Sequence, residues 1–377
     1  MEYVENDFKI QAVLDLQNKF FPLKVNGKNL ETLLFQGGMG VDISTFDLAK
    51  ACSDIGLVGT ISTTASNYID ELTDKLKELP EKFSGILGLN NLYPTTGYGE
   101  HYDLGKKFNL DFIATAAALG RDVLSRMAEQ DINSVYEYFT IPLVSAVKQV
   151  KSYLRKDPGF IILENVDAGG HNGVGSCFEE TIDEFKHAIK SGNLVKGNNK
   201  IICAGGIRTP EDHLKVLSAG FDAVQLGSLL LLSGEANVYD SYRNLLINSK
   251  DDDVVNIPSP AGLAGSGFVN EGIMKRVMSG EKIPKKCIKP NNNCLLDCNK
   301  ISFSAQAGGI EQEVGDYCIK KSLDNLHDSE GNPDDSLYFC GKNPEKLFII
   351  PYLKEKNISS LPVKVTNKSE KFSPKHI

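Results

Sequence analysis

A histidine that follows two glycines is the residue of this chain whose type and position most favour chemistry. His171 ends the run Ala168-Gly169-Gly170-His171, which comes shortly after the apolar segment Gly159–Asn165. An imidazole titrates near neutral pH, and it can donate a hydrogen bond, accept one or take a proton. It can therefore polarise a carbonyl or nitro group, or remove a proton beside one. Lone histidines are usually structural, but at this position we favour catalysis.

Two apolar runs later in the chain end in glycine. They are Ile201–Ile207, with the sequence IICAGGI, and Ala223–Ser228, with the sequence AVQLGS. Glycine lets main-chain N–H groups approach an anion closely, and the loops after strands seven and eight of a (β/α)8 barrel usually form a phosphate site. These two runs therefore predict a site for a phosphorylated cofactor.

A third glycine-rich turn comes early, in the run Gln36-Gly37-Gly38-Met39-Gly40. Its glycines allow a planar ring to lie flat against the backbone, where Gln36 and Met39 can contact that ring. Taken alone, such a run is more often a tight turn between a strand and a helix. Asn90, at the end of another apolar run, can bond a polar ring atom or simply cap a turn.

Short apolar segments alternate with amphipathic ones, which indicates βα units and a parallel sheet. Eight such units predict a (β/α)8 barrel. An open doubly wound sheet is rejected because the phosphate signals come late in the chain rather than after the first strand. The predicted strands are Thr32–Gln36, Leu57–Ser62, Ser84–Asn90, Leu110–Ala117, Thr140–Ala146, Gly159–Asn165, Lys200–Gly205 and Ala223–Ser228.

The segments around the strands carry their own signals. Thr209-Pro210-Glu211-Asp212 predicts a helix start, with a capping threonine and a proline in the first turn. Residues 91–107 are rich in Gly, Tyr and Pro and predict a lid or partial helix over the barrel mouth. Beyond the last strand, Gly234–Asn248 and Val269–Ser279 have helical patterns, and Ile257–Gly267 is predicted as a loop.

Composition narrows the class of protein. The 377 residues are 41% hydrophobic and carry a formal net charge of −8, without the basic stripe that nucleic-acid binding needs. No apolar stretch approaches the ~20 residues of a membrane span. The acidic first residues lack the apolar core of a signal peptide, so we expect a cytoplasmic protein.

Five of the eight cysteines lie in the last quarter of the chain, at Cys287, Cys294, Cys298, Cys318 and Cys340. The first four are numerous enough for a zinc or iron–sulfur site, but their spacing lacks the usual Cys-x2-Cys signature. We favour reduced thiols that pack the C-terminal region on the barrel and predict no metal site.

Six fragments in order resemble the nitronate monooxygenase family, whose relatives include flavin-dependent enoyl-acyl-carrier-protein reductases. The resemblance runs from about Thr32 to Pro284. The fragments are Gln36–Gly40, Gly88–Asn90, Ala168–His171, Ala204–Ile207, Gln225–Ser228 and Ser259–Gly265.

The resemblance implies an FMN site and a catalytic imidazole at His171. Ser228 stands where relatives usually have Thr, which keeps the hydroxyl, and Ala264 stands where they have Pro. The fourth strand continues into Thr115–Ala118, where relatives usually have glycines, and this narrows the space near the ring. The implied cofactor-binding residues are Gln36, Gly37, Gly38, Met39, Asn90, Ala168, Gly169, Gly170, Gly205, Gly206, Gln225, Gly227 and Ser228.

The resulting prediction is an FMN-dependent oxidoreductase with three regions. Residues 1–31 lead into an FMN-binding barrel at 32–284, and a cysteine-rich extension at 285–377 packs on it. The substrate is a small molecule, either a nitronate or an acceptor reduced with NADH or NADPH as a transient donor. Dioxygen or another compound accepts the electrons, no nucleic acid or membrane is involved, and a homodimer is possible.

Other readings stay open. An enoyl-thioester reductase would need a groove for acyl-carrier protein, and a non-redox phosphate-binding barrel would need a Schiff-base lysine or paired carboxylates. A non-catalytic flavin scaffold would bind the cofactor without turnover.

Overall fold

The fold was established from a computed structural model of the chain. It describes residues 23–64, 68–80, 83–92, 95, 97–116, 133–139, 150, 154, 159–172, 175–258, 264–269, 272–281, 319–324, 326 and 333–342. Within these ranges, no helix has the length and apolar character needed to cross a bilayer.

Along the chain the strands are β1 (Lys24–Val25), β2 (Lys28–Asn29), β3 (Leu34–Gln36), β4 (Val58–Ser62), β5 (Ile86–Leu92), β6 (Phe112–Ala116), β7 (Asn133–Phe139), β8 (Phe160–Glu164), β9 (Gly170–Asn172), β10 (Lys200–Ala204), β11 (Ala223–Leu226), β12 (Val254–Pro258), β13 (Ala264–Phe268) and β14 (Tyr338–Phe339). Eight of them are parallel and close into a barrel in the order β10-β11-β3-β4-β5-β6-β7-β8, with β8 pairing back to β10. This is the predicted (β/α)8 architecture.

Seven barrel strands overlap their predicted segments, and the fifth prediction was wrong. That strand is β7, at Asn133–Phe139, whereas Thr140–Ala146 was expected. The sequence of β7, NSVYEYF, mixes polar and apolar residues without a regular period, so it is a weaker strand signal than the apolar residues of the predicted segment, TIPLVSA. The segment 140–146 itself lies outside the described residues.

Helices cover the outside of the barrel. The predicted start at Thr209 is confirmed: its hydroxyl accepts from the Asp212 N–H, and Pro210 opens the helix. The helices are α1 (Phe46–Asp54), α2 (Tyr68–Lys77), α3 (Tyr98–Lys107), α4 (Phe178–Lys190), α5 (Pro210–Ala219), α6 (Asp240–Asn248), α7 (Ile273–Met278) and α8 (Ile319–Asp324), with 3-10 turns at Ser228–Leu232, Asp251–Asp253 and Pro333–Asp335.

The segment predicted as a lid ends in a barrel helix. Gly105 of α3 lies so close to β5 and β6 that an added Cβ would be 3.1 Å from methyl groups of Leu89 and Ile113. Tyr102 is buried in the same layer. Residues 98–107 therefore form the crossover between two barrel strands and do not cover the mouth.

Three phenylalanines fill the lower half of the barrel interior. The Phe35 ring lies 6.4 Å from Phe112 and 6.1 Å from Phe160, centroid to centroid. The β1–β2 hairpin closes this end, since Val25 and Leu30 belong to the same buried cluster. We call this end, where the strands begin, the floor, and the opposite end the rim.

A second, antiparallel sheet lies beside the barrel. β12 pairs along one edge of β13, and β9 and β14 share the other edge. This corrects the prediction of a loop over Ile257–Gly267. Its glycines have a packing role: a Cβ on Gly267 would lie 2.3 Å from the Tyr338 carbonyl oxygen. The glycines that suggested a loop are thus required by the close packing of β13 against β14.

Candidate active site

The turn after β3 contacts the end of β11 directly. The Gly37 N–H donates to the Leu226 carbonyl oxygen at 2.8 Å. A Cβ on Gly227 would lie 3.9 Å from the Met39 sulfur, with no closer neighbour. Two of the predicted flavin-binding turns, which are almost 190 residues apart in sequence, are therefore adjacent at the rim.

Two amide side chains at the same end of the barrel, the buried Gln36 and the half-buried Asn90, each keep one buried polar atom without a partner among the described residues. The Gln36 oxygen accepts from the Thr60 N–H at 3.0 Å, and its Nε2 has no acceptor. The Asn90 Nδ2 donates to the Gly38 carbonyl at 2.6 Å, and its Oδ1 has no donor. An unsatisfied buried polar atom costs about 1–3 kcal/mol, so each indicates a place for a ligand.

Asn165 joins the loops that follow β8 and β10. Its Nδ2 donates to the carbonyl oxygens of Ala204 and Gly205 at 2.9 and 2.8 Å, and its Oδ1 accepts from the Asp167 N–H. The side chain is fully buried. Asn165 is a site residue beyond those predicted above, and its sequence signal is an asparagine at a strand end before a glycine-rich loop.

Gly205 and Gly206 both have left-handed backbone conformations, with φ of +90° and +73°. A Cβ on Gly205 would lie 2.6 Å from the Asn165 Oδ1, and one on Gly206 would lie 2.5 Å from the Phe178 Cβ. Both positions therefore require glycine for the fold itself. A bulky residue at Gly206 would damage packing as well as any phosphate site, which makes it a poor probe of cofactor binding.

His171 lies in the second sheet rather than in a loop. It is in β9, opposite Gly265 of β13, and the ring of Phe339 packs edge-on against it at 5.1 Å between centroids. Burial lowers the pKa of His171 to about 4. The imidazole is therefore neutral at physiological pH and can donate and accept one hydrogen bond each.

The C-terminal region also reaches the barrel, and it does so at the rim, a position that no local sequence pattern indicates. The Gly341 N–H donates to the Ser228 Oγ at 2.9 Å, and the Lys342 N–H donates to the Asp167 carbonyl at 3.1 Å. No glycine-rich repeat marks this segment, whose only signal is a small residue, Gly341, after a two-residue strand.

Three of the four described cysteines are buried packing residues, and the fourth, Cys177, is half-buried at the N-terminus of α4. Burial raises the pKa of Cys52 and Cys340 to about 12, and it raises that of Cys203 further. These thiols stay protonated and unreactive. Within the described part of the chain, no cluster of His, Cys, Asp or Glu could hold a metal ion. Cys287, Cys294, Cys298 and Cys318 lie outside the described residues.

Most of the predicted site residues are thus joined by direct contacts at one rim. Gln225 is in β11 beside Phe35 and Ala204. Ala168 and Gly169 lie between Asn165 and the C-terminal segment, because the Ala168 N–H donates to the Asn165 carbonyl and a Cβ on Gly169 would meet the Gly341 nitrogen at 2.6 Å. Gly170, with φ of +83°, turns the chain into β9.

Comparison with known proteins agrees with this arrangement. The family described as nitronate monooxygenase matches residues 107–355, which include the barrel strands from β6 onward and the C-terminal segment. A protein of Staphylococcus saprophyticus described as a probable nitronate monooxygenase is 24% identical over 295 residues, covering 68% of this chain and 81% of that protein.

Solved structures share the fold. FabK from Thermotoga maritima superposes with a TM-score of 0.63 and 17% identity, covering 92% of this chain and 96% of that one. The nitroalkane oxidase of Streptomyces ansochromogenes superposes with a TM-score of 0.58 and 15% identity, covering 84% and 91%.

The fold and the family match define a barrel enzyme of the oxidoreductase class, of a kind that typically depends on a flavin. Within that class, the chain belongs to the nitronate monooxygenase family.

Proposed function

We propose that the flavin is FMN and that the enzyme oxidises nitronates, the conjugate bases of nitroalkanes. The observation that carries the proposal is the pair of unsatisfied buried atoms, the Gln36 Nε2 donor and the Asn90 Oδ1 acceptor. The pyrimidine edge of a flavin presents carbonyl acceptors and an N–H donor. These two amides therefore have the chemistry that this edge requires.

The glycine loops after β10 and β11 suit the phosphate of FMN. Gly205 and Gly206 bring the backbone close to the rim, and the hydroxyl of Ser228 adds a donor beside Gly227. The chain has no Gly-x-Gly-x-x-Gly fingerprint for a dinucleotide. A nicotinamide, if used, would therefore stack only transiently at the flavin.

Bound FMN would take electrons from the substrate and pass them to dioxygen or another acceptor. The chain holds the cofactor through its amides and glycine loops. His171 would meet the nitro group of the substrate: as a neutral imidazole it donates a hydrogen bond to a nitro oxygen, or takes a proton from the neighbouring carbon of a nitroalkane. Phe339 forms an apolar wall beside it.

Anaerobic reduction of the bound flavin distinguishes a nitronate substrate from the alternative electron donors, NADH and NADPH. The purified protein is expected to absorb near 370 and 450 nm, as flavins do. The 450 nm band should bleach on addition of ethylnitronate. Bleaching by NADH or NADPH alone, followed by reoxidation with an enoyl thioester, would instead identify an enoyl reductase. Protein that stays colourless after incubation with excess FMN would end the proposal.

His171 is tested by substitution. His171→Gln and His171→Ala should retain the 450 nm band and lose most nitronate turnover, with Gln retaining more because its amide can still donate. The wild-type rate should not titrate between pH 5.5 and 8, because burial holds the His171 pKa near 4. Unchanged turnover in both variants, or a wild-type inflection near pH 6.5, would exclude this role.

A further inference from the structure

Residues Tyr338–Lys342, which we call the docked segment, are attached to the second sheet. Tyr338 pairs with Phe268 of β13, and the Cys340 N–H donates to the Ser266 carbonyl at 3.0 Å. The Tyr242 hydroxyl donates to the Phe339 carbonyl oxygen. These bonds bring a segment that follows all eight barrel strands in sequence back to the barrel rim.

The docked segment approaches the loop after β8 at backbone distance. A Cβ on Gly169 would lie 2.6 Å from the Gly341 nitrogen, and a Cβ on Gly341 would lie 2.9 Å from the Asp167 carbonyl oxygen and 3.4 Å from the Ser228 Oγ. Two glycines therefore face each other, and neither position can carry a side chain without moving backbone.

Ser228 is the point where the docked segment meets the predicted phosphate site. Its Oγ accepts the Gly341 N–H, which fixes the oxygen while leaving the hydroxyl proton free to turn. Oriented in this way, the hydroxyl can donate to an anion beside Gly227 without moving its oxygen.

A buried cation joins the docked segment to the loop after β10. Arg208 is 7% exposed; its Nη1 donates to the Gly206 carbonyl at 2.7 Å, and its Nε donates to the Lys342 carbonyl. Its charge also acts on the Cys340 thiol, whose pKa it lowers against the larger effect of burial. A guanidinium at this junction adds positive potential where a phosphate is expected.

We propose that the docked segment completes the phosphate subsite: Gly341 positions the Ser228 hydroxyl, and Arg208 fixes the segment against the glycine loop. The inference rests on the proposed binding of FMN. It makes Gly341 and Arg208 positioning residues for the cofactor and couples docking of residues 338–342 to its phosphate.

Riboflavin, which lacks the phosphate, gives the specific readout. Dissociation constants for FMN and riboflavin are measured by quenching of flavin fluorescence in wild type, Gly341→Ala, Ser228→Ala and the double variant. Gly341→Ala should weaken FMN at least tenfold and leave riboflavin within twofold. Because Gly341 acts through Ser228, it should add little to Ser228→Ala. A wild type that binds neither flavin refutes the proposed function; an unchanged FMN-to-riboflavin ratio in Gly341→Ala refutes only this inference.

A second measurement needs no variant, in case Gly341→Ala does not fold. Cys340 in the docked segment and Cys52 in α1 are both buried, so each reacts with a thiol reagent only on opening. At 100 times the FMN dissociation constant, labelling of Cys340, read by peptide mass spectrometry, should slow about 100-fold if docking is coupled to binding. Cys52 reports global unfolding, which FMN slows by the same factor, so the apoprotein is the control. There, Cys340 should label faster than Cys52 because the docked segment opens locally. Labelling of Cys340 that is no faster than that of Cys52 in the apoprotein, or that FMN slows by less than twofold, would contradict the proposal.

Discussion

The two ends of the barrel are made from the same strands but differ in how their side chains fill space and satisfy their hydrogen bonds. At the floor, aromatic rings fill the interior and the Lys28 ammonium bonds Asp111 and the Gly85 carbonyl. At the rim, glycines bring backbones together, and two amides hold polar atoms without partners among the described residues. The floor satisfies its own groups and stabilises the fold, whereas the rim leaves groups for a ligand, as is usual in such barrels.

The largest effect is expected from the floor. Phe112→Ala should lower the free energy of unfolding by about 3–5 kcal/mol, because it leaves a cavity beside Phe35. FMN affinity of the folded protein should stay within twofold. Urea unfolding of the apoprotein measures the loss, with Phe83→Ala as a half-buried phenyl control expected to cost less. Equal losses in the two variants would show that the Phe112 ring at the floor contributes no more to stability than a half-buried ring outside the barrel.

Acid should act on the rim side through buried histidines. His213 lies in the first turn of α5 and is 2% exposed, and burial lowers its pKa to about 4. Below pH 6.5 the His213 imidazole is protonated in the unfolded chain but stays neutral in the folded chain. The free energy of unfolding therefore falls as the pH drops from 6.5 to 4. At 1.36 kcal/mol per pKa unit, His213 contributes about 3 kcal/mol of this loss.

His213→Gln cannot titrate and should flatten the pH dependence of unfolding by that amount between pH 7 and 4. His171 remains in both proteins and serves as the internal reference. Superimposable pH curves for variant and wild type would show that His213 is not held neutral.

A pair of glycine variants separates fold from site. Gly227→Ala meets only Met39 at ordinary contact distance, so stability should change by less than about 1 kcal/mol. The added methyl lies beside the predicted flavin turn and should weaken FMN about tenfold. Gly59→Ala is the matched control, since its Cβ would lie 2.1 Å from the Ala49 carbonyl. Gly59→Ala should lose stability and, where it folds, keep its FMN affinity. Weaker FMN binding by Gly59→Ala, or a large loss of stability in Gly227→Ala, would contradict this assignment of Gly59 to packing and Gly227 to the cofactor site.

The smallest effect is expected at the edge of the floor. Lys28→Met keeps the aliphatic stem and removes the ion pair with Asp111, whose carboxylate still accepts the Leu87 N–H at 3.0 Å. The loss should be about 1 kcal/mol or less, as for other partly exposed pairs. Chemical denaturation in low and high salt checks this value, and a loss above about 3 kcal/mol would show that the pair behaves as fully buried.

The sequence predicts the barrel well because its signals are local. Apolar runs that end in glycine identify β10 and β11, the apolar run Gly159–Asn165 identifies β8, and the Thr209 cap fixes the start of α5. β7 was misplaced because its irregular mixture of polar and apolar residues is a weaker signal than the apolar run that follows it. The rim turns were also predicted, since glycine at a strand end has a direct steric reason.

The rest depends on contacts between distant segments. Nothing in the local sequence shows that Gly341 bonds Ser228, or that Phe339 packs on His171. The second sheet was missed for the same reason, since β13 gains its partners from residues about 90 positions before it and 70 after it. Local sequence patterns predict whether a residue lies in a strand or a helix, whereas tertiary packing decides which distant segments pair with each other.

The shared edge of β13 has a consequence for biosynthesis. Until β14 is made, the backbone groups of Gly267 and Phe268 lack their partners on that side. About 70 residues separate the two strands, which at roughly 5–20 residues per second leaves an open strand edge for several seconds during translation. Such an edge can pair with other nascent chains, so slow decoding of this stretch should favour aggregation before the polypeptide is finished.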